Sequence, residues 1–111
     1  MGAQNYKFIN VSIIIVNYNQ LKLLHNCLLS IFNNIQSLSY EIIVVDNCST
    51  EGNVEDVTKQ YDNVTLIKNN ENIGFAAANN IGLQHANGKY ILFLNNDTVF
   101  YENSLKEIFD F

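Results

Sequence analysis

Tyr90-Ile91-Leu92-Phe93-Leu94-Asn95-Asn96-Asp97-Thr98 runs an unbroken apolar segment into a polar cluster that contains a carboxylate. An apolar run without alternation reads as a strand buried on both faces, the pattern of a parallel sheet. Parallel α/β sheets collect their ligands in the crevice beyond the carboxyl ends of the strands. Asp97 would stand there, able to hold a divalent cation against a phosphorylated substrate.

Working outward, Val11-Ser12-Ile13-Ile14-Ile15-Val16 is a second β-branched run, closed by Asn17-Tyr18-Asn19. From Gln20 the period changes. Leu24, Cys27, Leu28, Ile31, Phe32 and Ile35 recur at helical spacing, with Asn17 or Asn19 available as the cap. Glu41-Ile42-Ile43-Val44-Val45 is another strand, ending at Asp46-Asn47-Cys48-Ser49-Thr50. A short helix is expected around Val54, Val57 and Tyr61, then a weaker strand over Asn63 to Ile67. Glu71 to Gly82 reads as a loop entering a helix of small residues, in which Ala76, Ala77 and Ala78 lack bulk, so that the helix can lie close to the sheet or to a ligand. Asn87-Gly88 ends it, and a tail helix is expected from Glu102 to Phe111, with Leu105, Ile108 and Phe109 on one side.

Strands alternating with helices predict an α/β fold: a three-layer, Rossmann-like parallel sheet with helices on both faces. The expected strand order is 3-2-1-4, with the switch point between strands one and four. At 111 residues, without proline, linker composition or repeats, the chain is one domain or a piece of one.

Composition narrows the function. Eleven acidic against six basic residues, a formal charge of −5, argue against nucleic acid as the partner. An acidic domain that binds phosphate also needs a metal ion, a helix N-terminus or a local cation to offset repulsion. Hydrophobic residues make up 48% of the chain, enough for a packed core, yet no run approaches the length of a membrane span. Two cysteines, Cys27 and Cys48, suit a reduced compartment. Sequons at Asn10, Asn47, Asn63 and Asn96 are expected by chance in so Asn-rich a chain. Since glycosylation at Asn47 or Asn96 would block the crevice, the expected location is cytoplasmic. Neither G-x-G-x-x-G after the first strand nor G-x-x-x-x-G-K-[ST] occurs, which removes the main support for dinucleotide and P-loop readings. His25 and His85 read as surface or packing residues, and Lys68 and Lys89 as solvated strand ends.

Four strand-end motifs remain: Val16-Asn17-Tyr18-Asn19, Val45-Asp46-Asn47-Cys48-Ser49, Asn72-Ile73-Gly74-Phe75-Ala76-Ala77-Ala78-Asn79-Asn80 and Asn95-Asn96-Asp97. In this order they resemble the nucleotide-binding half of family 2 glycosyltransferases of GT-A fold, over about Val11 to Thr98. The resemblance implies a nucleotide site of Asn17, Tyr18, Asn19, Asp46, Asn47, Gly74, Asn79, Asn95 and Asn96, with Asp97 as ligand to Mn²⁺ or Mg²⁺. Asp46 would accept the imide N–H of uracil or thymine; its alternative is a capping role after the strand. Tyr18 would line the base, or simply pack at the strand end. Asn95 stands at the first acidic position of the D-x-D-like motif, and Asn79 where many members carry Arg. Both substitutions resemble a rhamnosyltransferase-like branch.

The implied partners are a UDP- or dTDP-sugar donor and, in the full-length protein, an acceptor glycan or glycolipid. Inverting transfer also needs a carboxylate base against the acceptor hydroxyl, which in the family lies well downstream of the metal motif. Residues 1–111 are therefore expected to be the donor-binding half of a longer enzyme. By itself this half is expected to be inactive, to self-associate through the edge at strand four, and in the whole protein to be compatible with a peripheral position at the inner membrane face. The reading from a different class is a non-catalytic α/β nucleotide-binding or interaction module.

Overall fold

The computed structural model describes residues 8–35 and 38–101; the expected tail helix from Glu102 lies outside them. Among the described residues seven elements alternate: β1 (Val11–Asn17), α1 (Leu21–Asn34), β2 (Tyr40–Asp46), α2 (Val54–Thr58), β3 (Val64–Lys68), α3 (Phe75–Gln84) and β4 (Tyr90–Asn95). The four strands form one parallel sheet in the order β3-β2-β1-β4. That is the arrangement expected from the sequence.

The order also explains the layers. The chain steps from β1 to β2 to β3 in one direction, then returns across the sheet to β4. Right-handed crossovers therefore place α1 and α2 on one face and α3 on the other. Val11, Ile13, Ile15, Ile42 and Val44 face Leu24, Cys27, Leu28 and Ile31 of α1, with Val54 of α2 in the same core. The opposite face is smaller: Ile14, Ile43 and Val45 meet Ala78 of α3.

That smaller core depends on missing side-chain volume. A Cβ on Gly82 would lie 2.6 Å from Cγ2 of Ile14 and 3.2 Å from Cγ2 of Val45, so α3 rides directly on the sheet. Of the three alanines, Ala78 supplies this contact while Ala76 and Ala77 are exposed. Gly88 makes the other close approach, since a Cβ there would stand 2.5 Å from the Ser12 backbone nitrogen. Its own N–H donates to Ser12 Oγ at 2.7 Å, and Ser12 Oγ donates to Glu41 at 2.6 Å. This partly buried polar knot lies at the strand ends remote from Asp97.

One local expectation is corrected. Neither Asn17 nor Asn19 caps α1; the cap position is Gln20, in the left-handed region at φ 51° and without a side-chain cap. The Asn19 side chain is engaged elsewhere, its Oδ1 accepting from the backbone N–H groups of Thr50 and Glu51 at 2.8 and 2.9 Å. A tie between the loops after β1 and β2 has taken precedence over the helix end.

Candidate functional site

The parallel register places Asn17 beside Asp46, and Val16 beside Asn95. Asn17, Asp46 and the Asn95-Asn96-Asp97 turn thereby come to one edge of the sheet. Backbone geometry there is unusual. Asn19, Gln20 and Cys48 are the non-glycine residues with positive φ among those described, and all belong to the loops after β1 and β2. Such conformations cost of the order of 1–3 kcal/mol each and concentrate at functional sites.

Between these loops and the start of α3 opens a cavity of about 450 Å³, lined by Val16, Tyr18, Gln20, Asn47, Asn72, Phe75, Asn95, Asn96 and Asp97. Its size suits a small-molecule ligand. Among the described residues, Asp97 is the one charged side chain in that wall, and no Lys or Arg shares it. Two aromatic rings line it as well, Tyr18 with 45% and Phe75 with 56% of their surface exposed.

The candidates named from sequence separate into wall and support. Tyr18, Asn47, Asn95, Asn96 and Asp97 line the cavity. Asn17 and Asp46 lie beneath it, buried. Asp46 Oδ1 accepts from Asn17 Nδ2 at 3.0 Å and Ser49 Oγ at 2.6 Å, and Oδ2 from the Ser49 backbone N–H at 2.9 Å. A carboxylate offers about four acceptor positions, so one on Oδ2 is left. Asn47 is held from two sides, donating to the Gly74 carbonyl at 3.1 Å and accepting from Asn69 at 2.9 Å. Gly74, at φ 89°, starts α3 and receives the Asn72 side chain on its N–H at 3.0 Å. Asn79 sits half-buried in the second turn of α3, outside the cavity wall.

Val16, Gln20, Asn72 and Phe75 complete the wall; none was named from sequence as a site residue, although Val16, Asn72 and Phe75 stand in the strand-end motifs. Phe75 left a signal: it is a bulky ring directly after a glycine, in a helix start otherwise built of small residues. Asn72 opens the third motif, and Gln20 left no signal.

Metal-binding capacity follows from the donor set. Among the described residues, no three His, Cys, Asp or Glu side chains gather around a common point. The protein therefore offers no cage. It does offer Asp97, flanked by the neutral oxygens of Asn95 and Asn96, and Mg²⁺ commonly takes one or two carboxylates plus substrate phosphates and water. The residues present fit a cation shared with a phosphorylated ligand. The charge on Asp97 reaches inward too: burial, and secondarily Asp97, pushes the Cys27 thiol up to about 12.

The 3-2-1-4 parallel sheet agrees with what the comparisons with known proteins find. Residues 12–111 fit the sequence profile described as "Glycosyl transferase family 2". The chain belongs to that family. It is 30% identical over 105 residues to the poly(ribitol-phosphate) beta-N-acetylglucosaminyltransferase TarP of Staphylococcus aureus, covering 91% of this chain and 32% of that protein. It is 34% identical over 106 residues to a poly(ribitol-phosphate) beta-glucosyltransferase of Bacillus spizizenii, covering 91% and 17%. Among solved structures, S. aureus TarS 1-349 in complex with UDP-GlcNAc superimposes with a TM-score of 0.82 at 26% identity, over 92% of this chain and 30% of that one. The chain thus spans less than half the length of these relatives, and they single out no rhamnosyltransferase branch.

Proposed function

We propose that this domain binds the nucleoside diphosphate sugar donor of an inverting glycosyltransferase, with Mn²⁺ or Mg²⁺ shared between Asp97 and the diphosphate. The cavity wall carries the proposal: it has the dimensions for a nucleotide and, among the described residues, one carboxylate and no Lys or Arg. A diphosphate brought to such a wall in a domain of net charge −5 meets repulsion unless a bound cation reverses the local sign. When bound, that ion would neutralise the charge that develops on the departing diphosphate.

The other side chains take the organic part of the donor. Tyr18 and Phe75 offer ring faces for a base or sugar, and Asn47, Asn72, Asn95 and Asn96 offer neutral donors and acceptors. Asp46 would read uracil or thymine through its remaining Oδ2 acceptor position, a contact that the N3 of cytosine, lacking a proton, cannot return. Gly74 leaves the N-terminus of α3 open, and Asn79 stands behind it. Asn19 braces the two loops. The L-N-N-D-T wording of Leu94 to Thr98 keeps a dTDP-sugar, a rhamnosyl donor included, beside UDP-sugars in the proposal. In the whole protein the acceptor would be a glycan or glycolipid, in polysaccharide or glycoconjugate synthesis at the cytoplasmic side. Residues 1–111 would be its donor-binding part, and copies of that part would associate through the β4 edge.

Asp97 cannot both hold the cation and deprotonate an acceptor. Among the described residues it is the one carboxylate in the cavity wall, so the domain alone should bind donor without transferring sugar. Calorimetric titration with UDP, dTDP and CDP, each with and without Mn²⁺, tests the reading. UDP or dTDP should bind, more tightly with Mn²⁺ and more tightly than CDP. Asp46→Ala should cost about 1–3 kcal/mol of that affinity, the range for losing a hydrogen bond to a charged group. Absence of binding would favour the non-catalytic interaction module, and sugar turnover by the domain alone would overturn the donor-half reading.

A further inference from the structure

Asn17 ends β1 with no exposed surface, and both ends of its amide are engaged. Nδ2 donates to Asp46 Oδ1 at 3.0 Å, while Oδ1 accepts from Asn96 Nδ2 at 2.9 Å. Asp46 belongs to the strand on one side of β1, and Asn96 to the turn after the strand on the other. One buried side chain therefore joins the two halves of the site.

The orientation of that amide is dictated rather than free. An ionised carboxylate only accepts hydrogen bonds, so the NH₂ group must face Asp46. The carbonyl oxygen then faces Asn96, whose own NH₂ must turn inward to meet it. Asp97, the next residue in the turn, is left at the cavity wall.

We infer that Asn17 is a positioning residue that couples nucleotide recognition to cation binding: it ties Asp46, on the base side, to the turn that presents Asp97. It does not itself meet the ligand. The inference rests on the donor-binding proposal above. Its physical basis is pre-organisation, because a turn anchored through Asn96 holds the Asp97 carboxylate in one place, whereas a released turn must be ordered at the moment the ion binds. Side chains in one hydrogen-bond network couple more strongly than separate ones.

The test is the ratio of UDP affinities with and without Mn²⁺, measured by calorimetry on the wild type, Asn17→Ser, Asn96→Ala and the double variant. Taking the ratio removes any direct loss of base affinity. Both single variants should lower it about tenfold, and the double variant no further, as side chains acting through one network are non-additive. A second readout needs no metal. In amide-resolved NMR spectra, uridine, which carries the base without the diphosphate, should shift the Asp97 backbone N–H in the wild type but not in Asn17→Ser.

An unchanged ratio in folded Asn17→Ser overturns the inference. So do additive losses in the double variant. If Asn17→Ser does not fold, the Asp97 shift in Asn96→Ala decides: its loss supports coupling and its retention overturns it. A wild type that binds no UDP overturns the functional proposal as well, whereas UDP binding with an unchanged ratio removes the role of Asn17 alone.

Discussion

β1 and β4 lie side by side, are similarly apolar, and have opposite fates. Ile14 and Phe93 are register partners on the same face of the sheet, yet Ile14 is fully buried and Phe93 is 48% exposed. Composition does not separate them; the path of α3 does. That helix returns over β1 and β2 and lies so close that Gly82 touches Ile14, while no described element covers β4 on that face. Stability is concentrated in the inner strands. The outer strand contributes the turn that bears Asp97.

The largest expected effect breaks this contrast at its centre. Ile14→Ala should destabilise the domain by about 2–5 kcal/mol, the range for truncating a buried aliphatic side chain. Phe93→Ala, its neighbour by register, should cost far less. Chemical denaturation of the two variants makes the comparison directly, and equal losses would mean that β4 is covered in solution. Gly82→Ala comes next. Its Cβ would enter the Ile14 side chain at 2.6 Å, and overpacking of this kind costs about 1–3 kcal/mol. A neutral result would show that α3 has room to shift.

The strands and their order were legible because each β-branched run is bounded by a turn and followed by helical periodicity. The motif pieces were legible because a parallel sheet brings strand ends together whatever lies between them. The division of labour at the edge was not. Nothing in Val16-Asn17-Tyr18-Asn19 says that Asn17 is buried under the cavity, that Tyr18 lines it and that Asn19 braces a neighbouring loop, because those roles depend on hydrogen bonds to residues about thirty positions away. The exposure of Phe93 was hidden for a related reason: a run of apolar residues reports that a strand can be buried, while the cover comes from a helix elsewhere in the chain.

Cys27 connects the two strands energetically. It packs under β1 and also feels Asp97 at the end of β4. With the thiol pushed up to about 12 from 9.0, the folded state keeps a proton that the unfolded chain loses in between. The associated stability is complete below pH 9 and falls as pH rises toward 12, by at most about 1.4 kcal/mol per pH unit. Cys27→Ala should flatten the alkaline limb of a stability profile. Asp97→Asn should flatten it less, since burial is the larger cause. A profile identical in Cys27→Ala would show that other groups govern alkaline unfolding.

The smallest change in stability should carry the clearest change in association. Among the described residues β4 ends the sheet, with Ile91 and Phe93 exposed on one face. Apolar edge strands invite pairing with another chain, and an edge lysine is the usual remedy. Phe93→Lys should therefore alter stability by no more than about 0.5 kcal/mol, as substitutions at exposed positions do, yet lower the apparent mass seen by light scattering across a concentration series. The substitution leaves Asn95, Asn96 and Asp97 in place, so UDP binding should persist in the variant. If both proteins stay monomeric at high concentration, the exposed edge is inert and the contrast between β1 and β4 concerns packing alone. If mass falls and nucleotide binding falls with it, association and the donor site share the β4 surface, and the turn that bears Asp97 is shaped in part by a second copy of the chain.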